Sequence, residues 1–122
     1  MAPTVGPYTP VVRAGQWLVC SGQLGLLDGS LVDGLAAQVT QAVRNIASLL
    51  EGEESGLEDV VKTTVFLTDM ADFGAMNDAY VAAFGDKRPA RSAFAVVGLP
   101  LGALVEIEAW AYMSRSPASS AG

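Results

Sequence analysis

The sequence contains no histidine, and this absence narrows the chemistry it could perform. Histidine is the usual general base near neutral pH and the commonest metal ligand in proteins. A Ser-His-Asp or Cys-His catalytic site is therefore excluded, and no metal site is expected, because zinc sites are built mainly from histidine and cysteine. Any catalysis by this chain must use carboxylates, arginine or lysine, tyrosine, hydroxyl groups or the backbone.

Cysteine, basic residues and long apolar runs are also scarce. The single cysteine, Cys20, excludes an internal disulfide, which favours a reducing compartment. Seven basic residues against 13 acidic ones give a net charge of −6, and they form no basic stripe of the kind that nucleic acid requires. No segment resembles a signal peptide or a membrane helix of about 20 apolar residues. We therefore expect a cytoplasmic protein that binds neither nucleic acid nor membranes.

What the sequence does contain is a large share of hydrophobic residues. Hydrophobic residues make up 51% of the 122 positions and charged residues only 16%, whereas the charged share of a typical soluble domain is about a quarter. The length suits one domain with its own core. So few charges favour a chain that buries part of its surface in an oligomer.

The hydrophobic pattern predicts a two-layer α+β domain. The order is β-β-α-β-α-β-β, and two helices would cover one face of the sheet. A loop at 24–33 turns at Asp28-Gly29, and Thr68 or Asp69 would cap the second helix. We expect a single domain over 1–112 and a flexible tail over 113–122. The predicted elements are two short strands in 11–23, a helix at 35–51, a strand at 60–67, a helix ending at Gly85, and strands at 92–98 and 103–112.

Strand alternation divides the last strand into an apolar and a polar-aromatic face. The apolar face, of Val105, Ile107, Ala109 and Ala111, suits packing against helices, and in the second strand Leu18, Cys20 and Gly22 would point the same way. The other face carries Leu104, Glu106, Glu108, Trp110 and Tyr112. Exposed aromatic patches with polar inserts often mark an association surface. The glutamates would then lie near a subunit boundary; alternatively, both are simply solvated on an open sheet.

Arg91 follows Pro89 at the start of a predicted strand. It is either a surface arginine beside a turn or the holder of an anion, since a guanidinium grips a carboxylate through two parallel hydrogen bonds. The pattern alone leaves both interpretations open.

Seven short blocks, taken in order, resemble the RidA (YjgF) family of reactive-intermediate deaminases over about residues 5–112. This resemblance implies a chorismate-mutase-like fold, assembled as a homotrimer around a central barrel with active sites between subunits. It also implies hydrolytic deamination of reactive 2-imino acids and 2-aminoacrylate-type enamines to 2-keto acids and ammonia, without a cofactor. The blocks are GPY (6–8), SGQ (21–23), DVVKTTVFLTDMADF (59–73), MNDAY (76–80), PARS (89–92), LP (99–100) and GALVEIEA (102–109).

The resemblance also assigns roles to individual residues. Arg91 would bind the substrate carboxylate, Glu106 would position the attacking water, and Tyr8 would close the cleft. Ser21 matches the serine of the family site. Asn77 matches an asparagine at the cleft edge, although it could equally cap or bridge the second helix.

One departure from the family pattern concerns the position after PARS. The family often has a cysteine there, whereas this chain has Ala93. A substrate contact through the backbone of Ala93 survives the change and a thiol contact does not.

Glu108 is interpreted as structural. The alternatives are a non-catalytic regulatory trimer that binds small carboxylates and a deaminase for a pathway-specific enamine; the acidic charge and the lack of histidine argue against a ribonuclease.

Overall fold

A computed structural model describes residues 6–114, and within this range the chain forms seven strands and two α-helices. Short 3₁₀ turns at Leu57–Asp59, Met70–Asp72 and Pro100–Gly102 connect some of them. The elements are β1 (Val11–Ala14), β2 (Trp17–Leu24), β3 (Leu26–Leu27), β4 (Ser30–Leu31), α1 (Leu35–Glu51), β5 (Val60–Leu67), α2 (Phe73–Phe84), β6 (Ala90–Ala95) and β7 (Val105–Tyr112).

Five of the strands form one mixed sheet in the order β1-β2-β7-β5-β6. The β5–β6 pair, which α2 connects, is parallel, and the other neighbours are antiparallel. Both helices contribute to a single core on one side of this sheet. The predicted two-layer α+β class is therefore confirmed, with β6 and β1 as the two edge strands.

The core follows the predicted alternation of β7. Val105, Ile107, Ala109 and Ala111 are completely buried beneath the helices. From α1, residues such as Ile46 and Leu50 meet them and are also fully buried. Each large aliphatic side chain buried in this way contributes roughly 1.5–3 kcal/mol through removal of apolar area from water.

Local sequence signals located most of the elements. Helix α1 and strand β5 begin and end where they were predicted, and Asp69 caps the turn before α2 by accepting the Ala71 amide at 2.9 Å. The predicted turn at Asp28-Gly29 joins the small β3–β4 hairpin, and both residues have the positive φ that such a turn requires.

The predicted strand 92–98 is wrong at both ends, because β6 spans Ala90–Ala95. Its limits are set by its one neighbour, β5, with which it pairs in register from Lys62↔Ala90 to Leu67↔Ala95. The last bond joins the Val96 amide to the Leu67 carbonyl at 2.7 Å, and the chain then leaves the sheet. Strand β7 likewise begins two residues later than predicted.

The predicted orientation of Gly22 is also wrong. A bulge interrupts β2, because Cys20 pairs with Ala109 while Gln23 pairs with Ile107. The chain thus advances three residues on β2 for two residues on β7. A bulge of this kind reverses the alternation of the residues beyond it. Gly22 therefore does not face the helices with Cys20; its position is turned toward Glu106 on the opposite face.

The structure says little about the predicted tail. Met113, its first residue, is buried in the core and its amide bonds to the Gln16 carbonyl at 2.8 Å. Residues 115–122 lie outside the described range, so the tail stays a prediction. In the part of the chain that is described, no helix combines the length and apolarity needed to cross a membrane.

Candidate active site

A cavity of about 190 Å³ opens on the sheet face that the helices leave uncovered. We call it the carboxylate cavity, because Glu106 on β7 is its only acidic lining residue. It brings together three of the residues predicted for the site. The lining consists of Tyr8, Ser21, Gly22, Leu24, Pro100 and Glu106.

The environment of Glu106 suits a proton acceptor. Burial in the cavity wall raises the pKa of its carboxyl above the ordinary value, and the nearby carboxylate of Glu108, two residues along β7, raises this pKa further. A raised pKa brings a carboxylate closer to the range in which a general base works best at neutral pH.

Gly22 provides the space that the Glu106 carboxylate occupies. A Cβ at this position would lie 2.8 Å from the Glu106 Cδ and closer still to one carboxylate oxygen. Any side chain there would displace the carboxylate or the strand. Sequence reasoning missed this role, although a glycine inside a strand is a known sign of a bulge or a close approach.

Ser21 ties the N-terminal arm to the sheet. Its hydroxyl donates to the Thr9 carbonyl at 2.7 Å, and its amide donates to the Pro10 carbonyl at 2.8 Å. These two bonds hold the arm across β2 and place Tyr8, which is 41% exposed, over the cavity. Because the hydroxyl proton of Ser21 is already used, its oxygen faces any ligand as a hydrogen-bond acceptor.

Arg91 lies elsewhere, at the start of the edge strand β6, where its side chain packs against α2. Its guanidinium carbon is 4.9 Å from the centre of the Tyr80 ring and 5.6 Å from that of Phe73. Its Nη1 lies 3.6 Å from the Met76 sulfur. We call the three residues that Arg91 contacts, Phe73, Met76 and Tyr80, the arginine platform. Within residues 6–114, no carboxylate lies within ion-pair distance of Arg91.

Ala93 lies two residues further along the same edge strand, and its side chain packs against the core. The hydrogen bond from Val96 to β5 fixes the alternation of β6: even-numbered amides face β5, and those of Arg91 and Ala93 face the free edge. An edge strand presents such groups unpaired. The backbone of Ala93 is thus open to a ligand or to another chain.

Asn77 follows Met76 on α2. Its side-chain Oδ1 is buried and has no hydrogen-bond partner in the described structure, so it does not cap the helix. Buried polar atoms normally have a partner, so the Asn77 Oδ1 is an exception among the described residues.

The predicted site residues thus fall into two groups that one chain does not bring together. Tyr8, Ser21 and Glu106 line the cavity on the open face. Arg91 contacts the helix layer on the other side of the sheet, and β5 separates its strand from that of Glu106.

The described residues contain no cluster of three or more histidine, cysteine, aspartate or glutamate side chains arranged to hold a metal ion. The cavity therefore provides a partly buried carboxylate together with an exposed tyrosine and a serine oxygen. A separate guanidinium, that of Arg91, is free to bind an anion.

Comparison with known proteins identifies the family. Residues 1–113 match the family model described as Endoribonuclease L-PSP. The chain belongs to this family, which is the RidA (YjgF) family. The predicted resemblance is therefore confirmed over nearly the whole chain.

Individual RidA-family relatives are similar along most of their length. A RutC family protein of Pyrococcus horikoshii is 42% identical over 111 residues, 88% of each chain. A mouse protein named 2-iminobutanoate/2-iminopropanoate deaminase is 42% identical over 108 residues, which is 86% of this chain and 80% of the mouse protein. The crystal structure of RidA from an Antarctic Psychrobacter has a TM-score of 0.88 and 40% identity, covering 91% of this chain and 92% of that one.

Proposed function

We propose that this RidA-family protein hydrolyses reactive 2-imino acids and 2-aminoacrylate-type enamines to 2-keto acids and ammonia. The observation that supports this best is a partly buried carboxylate of raised pKa, Glu106, in a cavity with Tyr8 and Ser21. The name of the mouse relative, a 2-iminobutanoate/2-iminopropanoate deaminase, points to the same reaction class.

The reaction needs only groups that the chain has. Water attacks the electrophilic carbon of the protonated imine and gives one proton to Glu106, so a tetrahedral carbinolamine forms. Glu106 then passes this proton to the amine nitrogen, the C–N bond breaks and ammonia leaves. The hydroxyl proton returns to Glu106 as the C=O bond forms, and Glu106 releases it to solvent before the next turnover. A positioned general base contributes about 10²–10⁴-fold to such a step.

The other residues bind and orient the substrate. Arg91 grips the substrate carboxylate, which converts a diffusing imine into one oriented for attack. The amide of Ala93, on the free edge beside Arg91, donates a further hydrogen bond to it. Ser21 accepts a hydrogen bond from the substrate nitrogen, because its own proton is held by the Thr9 carbonyl. Asn77 borders the same cleft, and Tyr8 closes it.

We further propose that each site forms between two copies of the chain, in a homotrimer. Arg91 and Glu106 are on opposite sides of the sheet, so one copy must supply the cavity and another the guanidinium. The open sheet face supports association, because it exposes the aromatic side chains of Trp17, Trp110 and Tyr112 by 38–42%. We place this reaction in the cytoplasm, where a single buried cysteine is ordinary.

The test is an oxidase-coupled assay. An amino-acid oxidase generates 2-iminopropanoate from alanine or 2-iminobutanoate from 2-aminobutanoate, and scavenging by semicarbazide reports the imine that remains. We expect wild-type protein to accelerate imine loss, Arg91→Ala to lower kcat/KM by about 100-fold or more, and Arg91→Lys to recover only part, because lysine keeps the charge and loses the planar fork. Equal imine decay with and without protein would end the proposal for that substrate.

The same variants separate catalysis from mere binding. If 2-oxobutanoate raises the melting temperature of wild type but not of Arg91→Ala, and no imine is turned over, the chain is a carboxylate-binding regulator. Turnover confined to one of several imines would instead favour the pathway-specific deaminase.

A further inference from the structure

We propose that Thr63 and Tyr80 act as positioning residues for Arg91, through a buried hydroxyl pair that holds the aromatic ring on which the guanidinium rests. This inference rests on the proposed role of Arg91 as the carboxylate-binding group. It gives a role to two residues that lie within the quoted family blocks and to which the resemblance assigned none.

The geometry connects the three residues directly. Thr63 is the register partner of Arg91 in the parallel β5–β6 pair. Its hydroxyl lies 2.6 Å from the Tyr80 hydroxyl, and both residues are almost fully buried, at 0% and 2% exposure. The Tyr80 ring in turn lies 4.9 Å below the Arg91 guanidinium. The strand pairing thus places the Thr63 hydroxyl where it bonds to the Tyr80 hydroxyl. This bond fixes the position of the Tyr80 ring, and the ring fixes the position of the Arg91 guanidinium.

The contact leaves the arginine able to bind. A cation–π contact acts between the positive charge and the face of the ring, so it uses no conventional hydrogen-bond acceptor, and a guanidinium has five N–H donors. Among residues 6–114, only Nη1 has a neighbour within hydrogen-bonding range, the weakly accepting Met76 sulfur at 3.6 Å. These contacts therefore hold the guanidinium in place while its remaining donors stay available to a carboxylate.

A purely structural role explains the hydroxyl pair poorly. Apolar residues border the pair, because Thr63 pairs with Ala109 on β7 and the Tyr80 ring contacts that of Phe84. An apolar pair of the same shape would fill the space without a polar group to desolvate. A hydroxyl bond adds what apolar packing lacks, a fixed direction for the ring. An arginine held in advance loses less conformational freedom when the substrate binds.

Four variants test this inference. Tyr80→Leu removes the ring, Tyr80→Phe keeps the ring but removes the hydroxyl, and Thr63→Val removes the partner hydroxyl at nearly constant volume. Phe84→Leu is the matched control, because its ring makes a tilted contact with Tyr80, 4.7 Å between ring centres, while Arg91 lies over the rings of Phe73 and Tyr80. Each variant is first checked for wild-type circular dichroism and oligomer mass.

Binding and kinetics give the first readout. For Tyr80→Leu we expect the Kd for 2-oxobutanoate and the KM for 2-iminobutanoate to rise by about tenfold while kcat changes less than about threefold, since the lost contact aids ground state and transition state alike. Tyr80→Phe and Thr63→Val should fall between wild type and Tyr80→Leu, and Phe84→Leu should match wild type.

The second readout needs no ligand and no turnover. The NMR order parameter of the Arg91 Nε–H bond should exceed about 0.6 in wild type and fall below it in Tyr80→Leu. A folded Tyr80→Leu with wild-type Kd and order parameter overturns the inference. If Tyr80→Leu does not fold, the same two readouts on Tyr80→Phe and Thr63→Val decide it. If wild type neither binds 2-oxobutanoate nor removes imine, the proposed function has failed, and the order parameter alone decides whether the platform orients Arg91.

Discussion

At the scale of single residues, the cavity depends on residues with a small or absent side chain as much as on those with a charged or polar one. Gly22 leaves the space that the Glu106 carboxylate fills. Ala93 has no thiol, yet its amide still faces the free edge of β6. A residue whose role depends on having no side chain is hard to recognise from its type. The resemblance therefore assigned roles to Ser21 and Glu106 and none to Gly22, although Gly22 lies in the SGQ block.

The two neighbouring carboxylates give a prediction about pH. The proposed mechanism requires ionised Glu106, so kcat/KM should fall as pH drops through its pKa. Burial is the main cause of the raised pKa and Glu108 the second. Glu108→Gln should therefore lower the pKa of Glu106, and the acid limb of the kcat/KM profile should move to lower pH.

The measurement is the pH profile of kcat/KM for wild type and Glu108→Gln at constant ionic strength. Glu51→Gln, an exposed change at the end of α1, is the control for net charge and should leave the limb in place. If the acid limb of the Glu108→Gln profile keeps its position or moves to higher pH, the predicted effect of Glu108 on the pKa of Glu106 is contradicted.

At the scale of elements, local patterns located what is locally determined. Helix α1 and strand β5 came from apolar periodicity and a β-branched run, which are properties of the segment itself. The ends of β6, the bulge in β2 and the contact between Thr63 and Tyr80 depend on pairing with distant segments. No single stretch of sequence contains that register, so these features could not be predicted.

The β3–β4 hairpin beside the cavity illustrates such a long-range dependence. Asn45 on α1 donates to the Leu24 and Leu26 carbonyls at 3.1 and 3.0 Å and accepts from the Gln41 side chain at 2.9 Å. Asn45→Ala would leave two carbonyls and an amide without partners. We expect it to lower the free energy of unfolding by about 2–4 kcal/mol.

Urea unfolding at a fixed protein concentration measures this loss, and hydrogen exchange should show faster exchange of the Val32 amide, which closes the hairpin on Gly25. Thr40→Ala is the control on the same helix, because its exposed hydroxyl bonds only within α1. A loss for Asn45→Ala no larger than that of Thr40→Ala would show that the hairpin does not depend on this clamp.

At the scale of the whole molecule, a low charge content and an uncovered sheet face have one explanation. Trp17 contacts Trp110 and Tyr112 edge-on, with ring centres 6.1 and 5.0 Å apart, on the face away from the helices. A second chain that covers this face removes apolar surface from water. In the proposed homotrimer, association would also bring Arg91 of one copy to the cavity of another.

Subunit mixing tests this arrangement. Arg91→Ala alone lacks the clamp and Glu106→Gln alone lacks the base, so each should be nearly inactive. After the two variants are unfolded together and refolded at equal ratio, sites that combine the intact Glu106 of one subunit with the intact Arg91 of another are restored. Random assembly into a closed ring gives about one quarter of the wild-type activity per site.

A mixture as inactive as its parents, despite mixed oligomers detected by native mass spectrometry, would require Arg91 and Glu106 to act from the same chain. The structure argues against that outcome, because the guanidinium is held on the helix side by Tyr80 and Phe73. To reach its own cavity it would have to leave both rings and pass around the edge of the sheet. Recovery near one quarter would therefore establish that the working site belongs to the assembly and not to the single chain.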